Sequence, residues 1–555
     1  MKPAIVIQLA TLLLLVHAAL GPQIKLPNGD VVSGVYSALD TESYMGIPYA
    51  IPPVNELRFK PPKPFNKSLD GFRAEAHGYS CTQMNIAADF QKSILGSILN
   101  YVTQSKFFNT FIPQSEDCLT LNVHRKRGLN SSELLPVMFW IYGGAFEFGG
   151  SNTYIPSNLL AQGERQGQNF IYVSINYRLG AFGFLGGLEI KSEGSSNAGF
   201  LDQRIAMKWV ADNIASFGGD PTKITIFGES AGAMSVAHHM VAYNGNNTYK
   251  GKPLFRAAIM QSGSLLSAES VDASYPQLIF DAVADAAGCN NADDKLKCLR
   301  KVPYEKMISA NNAVPGAATY SSLKMSYIPR PDGTTFSDLP FKMILDGKYT
   351  KIPYIIGDMN DEGTIFSLRN LNVSTEDEMM QYLKYLFPKL SSSKIDELLR
   401  LYPQNATQGS PYGTGTSNPL TLQYKRLSSI IGDLFFQAPR RIMLSLISDV
   451  PRYTYLSKEL SGIPIFGTFH ANDIFWQYYS TGSGTSIYRN SFISFACTLN
   501  PNNAGEYMTT EWPQYQSNSL ANMIVINSNS LSIGSDDFRN VPMSFIGNEF
   551  EEFAF

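Results

Sequence analysis

The sequence predicts an α/β fold: a large, mostly parallel central sheet with helices on both faces. Three observations carry that expectation. The run Val137 to Tyr142 is continuously apolar, as in a strand covered on both faces of a parallel sheet. NFIYVSINYR then reads as a strand, NAGFLDQRIAMKWVADNIASFGG as a helix and KITIF as a strand again, which is the alternation that right-handed parallel crossovers require. Finally, in KITIFGESAGAMSV, Lys223 to Val236, the pattern changes from strand to helix at one residue, Ser230.

Taken in order, the chain begins with Lys2, the apolar run IVIQLATLLLLV and small residues at Val16-His17-Ala18. This reads as a cleaved secretion signal over residues 1–18, with a single catalytic domain over 19–555. The apolar run is shorter than the roughly 20 residues a bilayer span needs, and no later stretch qualifies, so a secreted, extracellular protein without a transmembrane segment is expected. Five N-x-S/T sequons, at Asn66, Asn130, Asn246, Asn372 and Asn405, agree with that compartment. The composition, 44% hydrophobic and 16% charged, is globular, and a net charge of −3 offers no basic patch for nucleic acid. A monomer is expected. Of the five cysteines, Cys289 and Cys298 form the obvious short loop and Cys81 with Cys118 a longer one, leaving Cys497 unpaired and buried. Four cysteines allow three pairings, so spacing does not decide among them. No CxxC pair or histidine cluster suggests a metal.

PNGDVVSGVYS reads as a hairpin turning at Asn28-Gly29, followed by an irregular segment rich in proline and aromatics. Between Cys81 and Cys118, Ile86, Phe90, Ile94, Leu95, Ile98 and Val102 recur at helical spacing. A core helix and an apolar flap hinged on a disulfide fit that pattern equally. DCLTLNVHR reads as a strand, and the strand at Val137 to Tyr142 runs into Gly143-Gly144-Ala145. No P-loop lysine and serine follow and no GxGxxG is present, so oxyanion binding suits this loop better than phosphate binding. The next helix should bury Leu201, Ile205, Trp209 and Val210 and close at Gly218-Gly219.

Gly228-Glu229-Ser230-Ala231-Gly232 matches GxSxG, the nucleophile elbow, in which a strained strand-to-helix turn lifts a serine hydroxyl clear of the sheet. The α/β-hydrolase pattern draws its oxyanion donors from a glycine loop such as the one at Gly143 and from the residue after the nucleophile, here Ala231. In that pattern an acid and then a histidine follow the serine, so His17, His77 and His124 come too early. His238 and His239 lie eight and nine residues along the elbow helix, about 12 Å away at 1.5 Å per residue. His470, in GTFHAND, remains as the base. For the acid, a strand from Pro353 to Gly357 is followed by Asp358, Asp361 and Glu362, and spacing does not choose among them.

Taken together, FGESAGAMSV, WIYGGAFEFG, NAGFLDQRIAMKWVADNIASFGGDP, GDMNDEGTIF and GTFHAND resemble the cholinesterase-like type-B carboxylesterases, and within them the secreted fungal lipases of the Geotrichum and Candida type. The resemblance spans nearly the whole chain after the leader. It implies an α/β-hydrolase fold with an apolar lid inside the Cys81–Cys118 loop, a nucleophile at Ser230, a base at His470 and an acid at Glu362. It also implies oxyanion donors at Gly144, Ala145 and Ala231 and disulfides Cys81–Cys118 and Cys289–Cys298. Some members carry a third glycine where this chain has Ala145, and Cys497 matches no family disulfide. No cofactor or metal is expected. The implied activity is hydrolysis of long-chain acylglycerols at a lipid–water interface, with sterol esters or a broad range of soluble esters as alternative substrates. Met234, Ile365 and Phe366, beside the catalytic residues in sequence, are candidates to line an acyl pocket. Adhesion proteins of the same lineage lose the nucleophile, whereas Ser230, Glu362 and His470 are all present here.

Overall fold

Strands that are apolar on both faces can be stable only with cover on both sides, and the computed structural model supplies it. It describes residues 21–85, 113–129, 133–480, 487–516, 521–527 and 530–555. The secretion signal expected at 1–18, the apolar stripe Ile86, Phe90, Ile94, Leu95, Ile98 and Val102, and Asn130 lie outside the described residues. The main sheet is built from β1 (Val35–Ser37), β2 (Thr41–Pro48), β3 (Thr120–Lys126), β4 (Leu135–Ile141), β5 (Ile171–Ile175), β6 (Gly219–Glu229), β7 (Ala257–Gln261), β8 (Tyr354–Met359), β9 (Arg452–Ser457), β10 (Asn522–Asn527) and β11 (Ser530–Ser535). Across the sheet they run β11-β10-β9-β8-β7-β6-β4-β5-β3-β2-β1. Pairing is parallel from β5 through β4, β6, β7, β8 and β9 to β10. It is antiparallel only toward the two edges.

Every residue of β5, β7, β8 and β9 is buried. At the edge, β11 is largely exposed and rich in serine, a composition that discourages further strand pairing. The hairpin expected at Asn28-Gly29 forms: Gln23–Lys25 pairs antiparallel with Val31–Ser33, and Gly29 takes φ +96° in the turn.

Helix α1 (Ala198–Asn213) falls where the sequence predicts it, but its buried face differs. Phe200, Ala206, Met207 and Val210 are buried together with Asp202 and Gln203, while Leu201, Ile205 and Trp209 are only half-buried. The polar residues go inside because each is paired. Asp202 holds Arg178 at 2.7 Å. Gln203 donates to Ser235 Oγ at 3.0 Å and meets His239 Nε2 at 3.0 Å, which ties α1 to α2 (Ala231–Gly245), the helix that follows the serine. A periodicity of apolar residues cannot register such pairs.

Cys81–Cys118 and Cys289–Cys298 are both disulfide-bonded, and Cys497 is free. The Cys497 thiol is half-buried rather than fully buried, and desolvation pushes its pKa up to about 12. Asn66, Asn246, Asn372 and Asn405 are exposed. Among the described residues, no helix is long and apolar enough to cross a membrane, and no group of three His, Cys, Asp or Glu side chains is arranged to hold a metal ion.

Candidate active site

The central strand β6 ends at Glu229, and the chain turns into α2 through Ser230 at φ 55°, ψ −124°, a conformation that costs an L-residue energy. Two hydrogen bonds hold the turn: Ser230 N–H donates to Gln261 O at 2.9 Å, and Ser230 O accepts from Met234 N–H at 2.8 Å. The glycines on either side are steric necessities. A Cβ on Gly228 would lie 2.5 Å from Ile141 O, and one on Gly232 would lie 2.0 Å from the same oxygen. Strand and helix therefore meet with no side chain between them, and Ser230 keeps part of its surface exposed while Glu229 and Ala231 are buried.

His470 Nδ1 lies 2.5 Å from Glu362 Oε2, and Glu362 Oε1 accepts from Met359 N–H at 2.7 Å, which fixes the carboxylate at the end of β8. The imidazole packs against the rings of both Phe366, at 5.1 Å, and Phe436, at 4.8 Å. Its Nε2 makes no hydrogen bond among the described residues and lies 3.2 Å from Glu229 Oε1, one residue from the serine. Nδ1 is thus engaged by a carboxylate while Nε2 remains able to accept a proton.

The three acidic residues that sequence spacing leaves equivalent have different partners in the structure. Asp358 lies inside β8, which runs two residues beyond the predicted strand end, and its carboxylate pairs with Arg440 at 2.9 Å. That pair allows a charge inside the sheet, although burial still pushes the Asp358 carboxyl up to about 7. Asp361 faces backbone and side-chain donors of other loops. Glu362 alone of the three meets His470.

The Gly143 loop approaches the same corner. A Cβ on Gly143 would lie 2.5 Å from Glu229 O and 2.9 Å from Ser230 Cβ, so this loop touches the elbow directly. Gly144 at φ 112°, Ala145 at φ 56° and Phe146 at φ 59° then follow in positive-φ backbone. At Gly144 a side chain would strike Phe148 O at 2.2 Å, whereas Ala145 carries its methyl group in the left-handed region. Glu147 and Phe148 donate to Gly144 O and close the turn without using the N–H groups of Gly144 or Ala145. Ala231 opens α2, so its N–H has no acceptor within the helix.

Two carboxyls that the sequence reading overlooks also act on the imidazole, Glu229 at 3.2 Å and Asp473 through its charge. Glu229 is buried within the GxSxG motif itself, and desolvation pushes it up to about 8. Asp473, three residues after His470, accepts from Gln261 Nε2 at 2.8 Å and Tyr455 OH at 3.3 Å, and burial raises it to about 6. Their adjacency in sequence to Ser230 and His470 was the available signal. Of the acyl-pocket candidates, Met234 is buried on α2 and Phe366 stacks on Phe436 beside the imidazole. Ile365 packs with Leu368, Tyr424 and Phe466 in a separate apolar cluster.

A strained serine at the C-terminal end of the central strand of a largely parallel sheet defines an α/β-hydrolase fold. The chain belongs to the carboxylesterase family, which residues 21–539 match. It is 47% identical to Lipase 4 of Diutina rugosa over 541 residues, covering 97% of each chain. It is 41% identical to Lipase 1 of Geotrichum candidum over 534 residues, covering 94% of each. It is 42% identical over 531 residues to the secreted triacylglycerol lipase LIP1 of Gibberella zeae, covering 94% of this chain and 89% of that one. The crystal structure of Aspergillus niger EstA superposes with a TM-score of 0.78 over 97% of this chain and 99% of that one, at 24% identity, and so supports the fold.

Proposed function

We propose that this protein is a secreted serine carboxylic ester hydrolase, a triacylglycerol lipase acting on long-chain acylglycerols at lipid–water interfaces. The observation that carries the mechanism is the His470–Glu362 pair beside the serine elbow, with Nε2 left able to accept a proton. Ser230 Oγ attacks the ester carbonyl carbon and its proton passes to Nε2, while Glu362 accepts from Nδ1–H and stabilises the imidazolium. The N–H groups of Gly144, Ala145 and Ala231 hold the oxyanion. Collapse of the tetrahedral intermediate breaks the C–O bond to the alcohol, which leaves with the proton from His470, and water then releases the acid by the same steps. Neither metal nor cofactor takes part.

The long-chain reading rests on relatives named lipases and on Met234 and Phe366 as acyl-facing groups, with Ile365 in the neighbouring apolar cluster. The interfacial reading rests on the sequence stripe that includes Phe90, Ile94, Leu95 and Ile98, which would lose about 1.5 to 3 kcal/mol for each side chain exposed to water and regain it against lipid. Secretion as a monomer through the leader at 1–18 completes the proposal. Hydrolysis of emulsified triolein, emulsified cholesteryl oleate and dissolved tributyrin by the purified protein tests it. Triolein should give the highest turnover, undiminished by chelator. A preference for cholesteryl oleate would make the enzyme a sterol esterase, and no turnover of any ester would leave only a binding role.

The pH dependence follows from the groups around the imidazole. Burial alone would lower the His470 pKa, but Glu362, Glu229 and Asp473 outweigh it and carry it up to about 9. The base must be neutral to accept a proton, so kcat/KM should climb on the alkaline side of neutrality. Glu229→Gln removes one of the negative charges that hold the imidazolium, which lowers its pKa. The acid limb of kcat/KM for a dissolved ester should therefore move down by about one unit. A limb that stays in place, or moves up, would show that Glu229 carries no charge beside the working base.

A further inference from the structure

One buried carboxylate joins three loops next to the site. Asp361 Oδ1 accepts from the Ser410 hydroxyl at 2.8 Å and from Tyr412 N–H at 2.8 Å. Its Oδ2 accepts from Thr468 N–H at 3.0 Å and from Asn360 Nδ2 at 3.2 Å. The Asp361 N–H in turn donates to Thr468 O at 3.0 Å. The residue adjoining Glu362 thus holds, in both directions, the residue two before His470. Gly467 takes φ +57°, and a Cβ there would lie 2.5 Å from Asp361 Oδ2, so the histidine loop comes up to the carboxylate with no side chain between. Asp361 forms no ion pair among the described residues, although it is 1% exposed.

We propose that Asp361 is a positioning residue that sets the separation of the Glu362 and His470 loops, and hence the hydrogen bond between their side chains. This rests on the proposed roles of Glu362 and His470. Two of these five hydrogen bonds, one accepted from Thr468 N–H and one donated by the Asp361 N–H, tie the histidine loop to the end of β8, and those from Ser410 and Tyr412 fix the carboxylate that makes the first. The groups facing Asp361 are Tyr412, Tyr424 and Lys425, and those facing the imidazole are Glu362, Glu229 and Asp473.

Asp361→Asn tests the inference. The amide keeps the shape but turns two hydrogens toward donors on one side, so either the Ser410/Tyr412 link or the Thr468 link must open. On a dissolved ester, kcat per titrated active site should fall about 10- to 100-fold with KM almost unchanged. The acid limb should also move to lower pH, because the imidazolium loses part of its hold on Glu362. A merely structural residue would lower the melting temperature and the titrated fraction while leaving kcat per site and the limb as in the wild type, and that result would overturn the proposal. Ser410→Ala, which deletes one donor, gives a second reading should the amide variant not fold: a smaller fall with the same shift supports the proposal, and an unchanged profile overturns it. Glu362→Gln separates the two levels. Its kcat should fall by about 10⁴. Wild-type turnover there would sink the triad itself, whereas a fall there with an unaffected Asp361→Asn would sink only the positioning role.

Discussion

Replacing Ser230 by alanine should lower kcat/KM for a dissolved ester by about 10⁴- to 10⁶-fold, as removal of a nucleophile does in other serine hydrolases. The fold should survive. Ser230 contributes no core side chain, and its conformation is fixed by backbone hydrogen bonds to Gln261 and Met234 that alanine keeps. The strain at φ 55° is the same for both residues, so the melting temperature should stay close to that of the wild type. Loss of the acyl-enzyme burst with an active ester, measured beside an unchanged thermal transition, is the decisive pair of readings. Turnover remaining above about 1% would mean that another group performs the attack.

The architecture could be read from the sequence wherever one local rule decides the outcome. Val137 to Tyr142 is continuously apolar and so calls for cover on both faces, and all but Tyr142 of it lies in β4, beside the central strand β6. The two glycines around Ser230 mark a close approach, and the structure supplies the partner, Ile141 O, against which both are packed. The reading fails where the deciding partner is distant in sequence. α1 buries Asp202 and Gln203 only because Arg178, Ser235 and His239 wait on other elements, so its apolar pattern identifies Val210 on the fully buried face but places Leu201, Ile205 and Trp209, which are half-buried, there too.

The same limit explains the acidic residues after β8. Spacing treats Asp358, Asp361 and Glu362 alike, and they are told apart by Arg440, by Thr468 with Ser410 and Tyr412, and by His470, partners 82, 49 to 107 and 108 residues away along the chain. Glu229 and Asp473 are hidden for a different reason. Each sits inside a motif whose other members draw the attention, and only desolvation, which no sequence pattern displays, turns an ordinary carboxylate into a group with a pKa of about 8 or 6.

A methyl group on Gly232 should damage the protein more severely than any single side chain lost from the site. The Cβ of Gly232→Ala would stand 2.0 Å from Ile141 O, 2.8 Å from Ile141 C and 2.9 Å from Tyr142 C. All three are backbone atoms of β4, which neighbours the central strand β6, or of the residue just after it, so no rotamer change relieves the contact. Relief requires α2 to move off the sheet, which would pull Ser230 away from the Gly143 loop and open buried contacts along Ala233, Val236 and Ala237. The helix propensity of alanine would by itself favour the variant by about 1 kcal/mol. The clash should reverse that and cost more than about 4 kcal/mol, at the extreme of single-substitution effects. Gly462→Ala is the matched control, because nothing lies within 4 Å of its added Cβ and its φ is not positive. Denaturant unfolding should show the Gly462 variant close to wild type and the Gly232 variant shifted to a much lower midpoint or not recovered folded. Whatever folded Gly232→Ala is obtained should turn over ester at least about 100-fold more slowly, since a displacement of about 1 Å at the nucleophile has that consequence. Equal stability of the two alanine variants would show that strand and helix meet less closely at the elbow than 2.0 Å implies.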